Sequence, residues 1–336
     1  MSLRVAQMDT DDAHTWDRLV ASFEGTTVFH TSAWLSVLEK TFGHRRLLLR
    51  FEEKDGRCVA VLPLVVARKA VFKIAASPLR GTTGIMGPLS SGAGTADIAD
   101  ALDRYGKEKG FDYVELTFTS ETDSGAWSRL GYEHEFKETY KLYLPGDEAG
   151  AWGALESKCR NMVRKAEKSG VSIVEGDAKD LDGYYAMLCE SFGKSGIKPT
   201  TTKEFIKNVY EGLAPRGMLK LLFAEYGGKK VSGGIFLHGM DGVYFWSGAA
   251  LTEYNKVAPN NLLQWHVIRW ACNNGYRTYD MAGKGIARID HFKQSFGPRI
   301  ERYSYVWKAN NVCARIGRNL YKKLMFSLRK KGRARQ

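Results

Sequence analysis

One order of local signals, helix, glycine, strand, short helix, glycine, strand, occurs twice in this 336-residue chain, and a layout used twice restricts the fold to two copies of one α/β unit. In the first half, Asp100 to Phe118 reads as a helix closed by Gly110 and then a strand, and Trp127 to Leu144 gives a short helix ending at Gly131 and another strand. The second half repeats the order at Trp265 to Gly283, around Gly275, and at Phe292 to Trp307, around Gly297. Upstream of each copy lies a hairpin pattern, Arg46 to Val66 and Leu219 to Gly239. Asp55-Gly56 and Gly227-Gly228 supply the tight turns between alternating apolar runs. The pattern therefore predicts a mixed α/β (α+β) protein of two tandem domains, over 1–150 and 151–311, with a ligand cleft where the copies meet.

Composition narrows the class. With 44% hydrophobic and 26% charged residues the chain has the make-up of a globular protein. The N-terminus carries acidic residues where an export signal needs a basic start and an apolar core. The longest apolar run, Cys58 to Ala67, is half of the roughly 20 residues that span a bilayer and contains Pro63. The expected location is thus the cytoplasm. Cys58, Cys159, Cys189, Cys272 and Cys313 have no metal-ligand spacing, so reduced packing cysteines and no metal site are expected.

The net charge of +13 is concentrated at one end. Arg315 to Arg335 holds nine Lys or Arg residues and no acid, and without them the chain would carry about +4. Ile316, Leu320, Leu324 and Leu328 recur every four residues among these cations, which predicts a basic amphipathic helix within a separate tail, 312–336. Three fates compete for its apolar stripe: packing on the body, contact with an anionic membrane surface, or contact with nucleic acid. A sequence-specific DNA role finds no recognition helix or zinc motif. A second basic segment, Leu155 to Gly176, places Arg160, Arg164 and Lys168 on one helical face, suited either to solvent or to an anionic ligand.

Taken together, VFHTSAWLSVLEKTFG, SKCRNMVRKAEKSGV, GKSGIKP, YFWSGAA, APNNLLQWHVIRWA, YDMAGKG and FKQSFG resemble, in order and spacing, the FemAB-like (Fem-type) aminoacyl and acyl transferases. That family extends the peptide of peptidoglycan precursors. The resemblance implies tandem GNAT-like domains, an acceptor site in and beside the first and a donor tunnel near the second. It also implies cytoplasmic N-acyl transfer to an amine of an anionic cell-envelope precursor, with aminoacyl-tRNA or acyl-CoA as donor and no tightly bound cofactor. Peripheral attachment at the inner membrane face through 312–336 would suit such an acceptor.

Acyl transfer to an amine passes through a tetrahedral oxyanion, so a cation or hydrogen-bond donor must stand where that charge develops. By resemblance this role goes to Lys293, with Phe292 shaping the site. Asp280, between a strand and the Gly283 to Gly285 loop, either assists the acceptor amine or caps the turn. Candidate substrate-binding residues are Trp34, Arg160, Arg164, Lys194, Tyr244, Trp246 and Asn260, the last opening a helix whose N-terminus could receive an anion. Two segments depart from the peptidoglycan enzymes: Ser36 and Leu38 follow Trp34 where a lysine is expected, and Thr117 stands where an acidic residue meets the acceptor peptide. Those departures bring an amino sugar of an envelope polysaccharide into consideration. An acetyl-CoA-dependent GNAT enzyme is the nearest alternative, although YNKVAPNNLL lacks the glycine-rich phosphate loop of that class. A non-catalytic module that holds anionic ligands is the second.

Overall fold

The computed structural model describes residues 3–79, 82, 84–193 and 198–320. These divide into two compact units, one of residues 3–137 and 302–320 and the other of 138–301. In chain order the first contains β1 (Arg4–Met8), α1 (Ala13–Ala21), α2 (Ser32–Phe42), β2 (Arg45–Glu52), β3 (Cys58–Lys69), β4 (Phe72–Ser77) and β5 (Leu89–Ser90). It continues through α3 (Thr95–Glu108), β6 (Tyr113–Thr117), α4 (Ser124–Ser128) and the start of β7 (Glu133–Tyr143). The second holds the end of β7, then α5 (Glu148–Ala154), α6 (Ser157–Lys168), β8 (Ser172–Glu175), α7 (Leu181–Gly193) and α8 (Lys203–Leu213). There follow β9 (Leu219–Tyr226), β10 (Lys229–Gly239), β11 (Gly242–Ala250), α9 (Pro259–Asn273), β12 (Thr278–Gly283), α10 (Ala287–Gln294) and the start of β13 (Arg299–Ala309).

Each unit builds the same sheet. In the first, β1 to β4 pair antiparallel in sequence order and β4 pairs parallel with β6. In the second, β8 to β11 do the same and β11 pairs parallel with β12. The helix joining each parallel pair, α3 or α9, ends alike. Gly110 and Gly275 adopt φ of +65° and +75°, a left-handed conformation that costs glycine little. The next residue returns its N–H to the fifth carbonyl back, Phe111 to Gly106 at 2.9 Å and Tyr276 to Ala271 at 3.0 Å.

The sixth strand of each sheet comes from the other half of the sequence. Tyr305 to Ala309 of β13 pair antiparallel with Tyr113 to Thr117 of β6, and Thr139 to Tyr143 of β7 pair with β12. This moves the boundary expected at 150/151 to Lys137/Glu138 and returns residues from Arg302 onward to the first unit. The reason is strand length: β7 and β13 each run 11 residues, and the unit boundary falls inside each, after Lys137 in β7 and before Arg302 in β13.

The separate tail is also corrected. Residues 312–320 are helical and belong to the first unit. Ala314 is buried there, and a Cβ on Gly317 would stand 3.2 Å from the Phe72 ring, so the small residues face the body. Val312, Ile316 and Leu320 lie 70%, 55% and 62% exposed. The apolar stripe that could have packed inward thus points out; Leu324 and Leu328 lie outside the described residues.

The core of the first unit centres on the buried Trp16, Trp34, Phe51 and Trp127, and that of the second on Tyr140, Phe236, Tyr279 and Phe296. All five cysteines are free thiols. Among the described residues no helix is long and apolar enough to cross a membrane, and no cluster of His, Cys, Asp and Glu could hold a metal.

Candidate active site

The candidate site of the second unit grows out of a break in β12. Its parallel ladder with β11 covers only Gly242 to Tyr244 against Thr278 to Asp280, whereas β11 continues to Ala250. On its other edge the register with β7 shifts between Asp280 and Gly283. Ala282, at the break, has φ of +67°, a conformation that an alanine adopts only when its surroundings impose it.

Two charged side chains impose it. Asp280 Oδ1 accepts a hydrogen bond from the Ala282 N–H at 2.7 Å and another from the Thr139 hydroxyl at 2.6 Å. Lys293, in the last turn of α10, donates Nζ–H to the carbonyls of Ala282 at 3.0 Å and Gly283 at 2.9 Å. An ammonium has three protons to give. The third finds no acceptor among the described residues, and Nζ sits 5.7 Å from the centre of the Tyr140 ring. Lys293 is only 6% exposed. Burial, partly offset by the charges of Asp280 and Asp290, lowers its pKa from 10.5. Burial likewise raises the Asp280 pKa above 3.8, against the hydrogen bonds from Thr139 and Ala282 and the positive charges of Lys141 and Lys293.

The turn FKQSFG fixes the lysine. Phe292 packs edge to face on Phe296, the Ser295 hydroxyl donates to the Phe292 carbonyl, and Gly297 turns the chain at φ of +77°. The Glu156 N–H donates to the Ser295 carbonyl at 3.0 Å, which joins the basic helix α6 to this turn. Phe292 thus packs on the core of the second unit, next to Lys293 in the chain.

The other expected residues are placed as follows. Tyr244 lies opposite Asp280 in the β11/β12 register and is half-buried. Trp246 packs edge to face on Phe205 of α8. Asn260 sits in the first turn of α9, which starts from Ala258 at φ of +52° with no side-chain cap. Arg160 is committed to the end of α5, donating to the Gly153 carbonyl at 3.2 Å and to that of Leu155. Arg164 stacks over Trp152 at 5.3 Å and donates to Asn161. The two arginines thus occupy one helical face with their guanidinium groups turned to neighbouring groups. In the first unit, Trp34 is fully buried, edge to face with Phe29, and is a packing position there. Lys194 lies outside the described residues.

Sequence reasoning missed Thr139, Tyr140 and the bulge at Ala282. The only signal was the unusual density of small residues in DMAGKG, which marks a turn without saying which carbonyls it aims.

Residues 155–294 match the family model described as an acetyltransferase (GNAT) domain. A crystal structure of FemX superposes on 90% of this chain and 96% of its own with a TM-score of 0.72 at 14% identity. A tandem GNAT protein from the clavulanic acid biosynthesis pathway covers 91% and 98% with a TM-score of 0.55 at 12% identity. Both are likenesses of fold, and they bear out the tandem GNAT architecture. In sequence, a lipid II:glycine glycyltransferase of Staphylococcus haemolyticus (strain JCSC1435) is 21% identical over 125 residues, 36% of this chain. The match spans 30%, about a third, of that relative's length.

Proposed function

We propose that this chain, which belongs with the Fem-type proteins of tandem GNAT fold, is an acyltransferase that joins an activated acyl or aminoacyl group to an amine of an anionic cell-envelope precursor. The observation that carries the reading is Lys293, a buried ammonium with two protons on the carbonyls of the β12 bulge and the third without an acceptor among the described residues. A donor of that kind, held without freedom to reorganise, is what a developing oxyanion requires.

In the reaction the amine nitrogen attacks the carbonyl carbon of the donor ester or thioester. A C–N bond forms, the carbonyl oxygen gains charge beside Lys293, and collapse expels the alcohol or thiol, which leaves with the proton the amine gives up. Asp280 has a positioning role: through Ala282 and Thr139 it holds the bulge that presents both carbonyls to the lysine. No side-chain nucleophile is needed, since the donor is already activated.

The relative's name supports lipid II, a peptidoglycan precursor, as the kind of acceptor, and aminoacyl-tRNA as donor is consistent with a glycyl group in transit. The departures at Ser36, Leu38 and Thr117 keep an amino-sugar acceptor as the other form of the reading. Such an acceptor is met in the cytoplasm or at the inner membrane face, where the basic segment 312–336 would bring the chain.

Titration of the purified protein with acetyl-CoA and, separately, with a charged tRNA tests the donor, each repeated on Lys293→Ala. Saturable binding of charged tRNA alone supports aminoacyl transfer. Saturable binding of acetyl-CoA moves the reading to an acyl-CoA enzyme, and turnover that survives the substitution overturns the role of Lys293.

A further inference from the structure

The first unit holds a cavity of about 280 Å³ between the β3/β4 hairpin and the helix at 312–320. Phe72, Ile74, Leu79, Ala314 and Gly317 supply its apolar wall. An apolar cavity of roughly 150 Å³ is enough to hold benzene, so this one has room for several methylene groups.

Four polar side chains, Lys69, Tyr113, Glu115 and Arg318, enter the lining, and Tyr113 and Glu115 are paired with each other. The Tyr113 hydroxyl donates to Glu115 at 3.3 Å and accepts from Arg318 Nε at 2.7 Å. Glu115 also receives the Tyr305 hydroxyl at 2.5 Å. Arg318 is stacked over Trp307 at 4.1 Å, and its Nη2 is buried with no hydrogen-bond partner among the described residues. A buried guanidinium N–H without an acceptor is costly, and a ligand oxygen would remove that cost.

The surface around the cavity has a matching character. Val71, at the tip of the hairpin, is 82% exposed, and Val312, Ile316 and Leu320 form the outward stripe of the helix. Arg68, Lys69 and Arg315 are exposed beside them, and seven further Lys or Arg residues follow Leu320 in the sequence. Apolar side chains projecting among cations are the composition of a surface that inserts into the boundary of an anionic bilayer. Nucleic acid would use the cations but gain nothing from Val71, Ile316 and Leu320.

We propose that this face docks on an anionic lipid bilayer and that the cavity receives one acyl chain of an anionic phospholipid, with an oxygen of that lipid on Arg318 Nη2. The inference extends the membrane-face part of the functional reading and does not depend on the transfer chemistry. Lipid binding and turnover are separate readouts, so either can fail without the other.

The test uses the full chain and two probes: vesicles of phosphatidylglycerol or phosphatidylcholine in a flotation assay, and soluble dihexanoyl phosphatidylglycerol in a calorimetric titration. The expected results are partition onto the anionic vesicles about tenfold stronger than onto the neutral ones, and saturable one-to-one binding of the short lipid. Val71→Asp with Ile316→Asp, both at exposed positions, should abolish flotation while leaving the short lipid bound. Ile74→Phe, which fills the cavity, should abolish short-lipid binding while leaving flotation. Arg318→Gln should weaken the short lipid about tenfold. Equal partition onto both vesicles, or none, overturns the proposal, as does binding of an RNA duplex without vesicle binding. Short-lipid binding without flotation assigns the cavity to a free amphiphile and overturns the membrane source. Unchanged short-lipid binding in Ile74→Phe, with the melting temperature retained, removes the cavity from the account.

Discussion

Replacing Lys293 by methionine keeps the aliphatic volume and removes all three N–H donors. Two separable consequences follow from the geometry. The carbonyls of Ala282 and Gly283 lose charge-assisted hydrogen bonds of 3.0 and 2.9 Å, each worth about 1.5–3 kcal/mol. Against this, the fold no longer has to bury an ammonium, a cost of several kcal/mol. The net loss should be small, about 1–2 kcal/mol, and at about 2–4 °C per kcal/mol for a unit of this size the melting temperature falls by about 2–8 °C. The transition state has no such compensation. Loss of one preorganised oxyanion donor lowers kcat by about 10²–10³-fold with KM little changed. Single-turnover acyl transfer beside differential scanning fluorimetry separates the two effects. In the unsubstituted protein the rate should also decline with rising pH at a point below the 10.5 of a free lysine, because burial favours loss of the proton. A kcat for Lys293→Met within about threefold of the parent would refute the assignment of the oxyanion donor. Equal collapse of kcat, KM and melting temperature would show that the lysine only holds the bulge.

Three further outcomes can be checked. His30 and His238 are buried and their pKa values are lowered to about 4 by desolvation, so the unfolded chain takes up protons first as pH falls from 6.5 towards 4. Stability is therefore complete above about pH 6.5 and lost as pH falls through that window, by up to ~3 kcal/mol per histidine in urea titrations, and His30→Gln should flatten the part due to His30. Asp280→Asn keeps an Oδ1 that can accept from both Thr139 and Ala282, and it removes a charge whose burial raises the pKa. The parent protein should lose stability as pH rises from 3.8 through the raised value, and the variant should lack that decline when urea midpoints are compared at about pH 4 and pH 7. Gly297→Ala places a methyl 2.5 Å from the Ala154 carbonyl oxygen at φ of +77°, and should cost at least about 2 kcal/mol in chemical denaturation.

The two hairpins and the helix, glycine, strand order were legible because tight turns and helix stops demand particular residues at particular offsets. Asp55-Gly56, Gly110 and Gly275 announce themselves in the sequence. The partners of the site do not. Thr139 meets Asp280 from 141 residues away, and the left-handed residue of the bulge is Ala282, a type that signals nothing of the kind. The row of Arg160 and Arg164 was legible as a helix face, but the carbonyls of α5 and the Trp152 ring that engage those arginines belong to tertiary structure. The stripe of Ile316 and Leu320 was visible as a period of four. Which face turned inward was decided by Ala314 and Gly317, whose small size allows the helix backbone close to Phe72.

The exchange of strand ends has a consequence during synthesis. The chain from Arg4 to Lys137 emerges with β6 lacking one neighbour, because the segment that completes that sheet, Tyr305 to Ala309, is made about 170 residues later. At roughly 5–20 residues per second, β6 would offer an open edge for on the order of ten to thirty seconds. The first half made is thus the last to be finished, and a ribosome stalled in between would hold an unclosed sheet available to a neighbouring nascent chain. A fragment cut at Lys137 should for the same reason be prone to self-association.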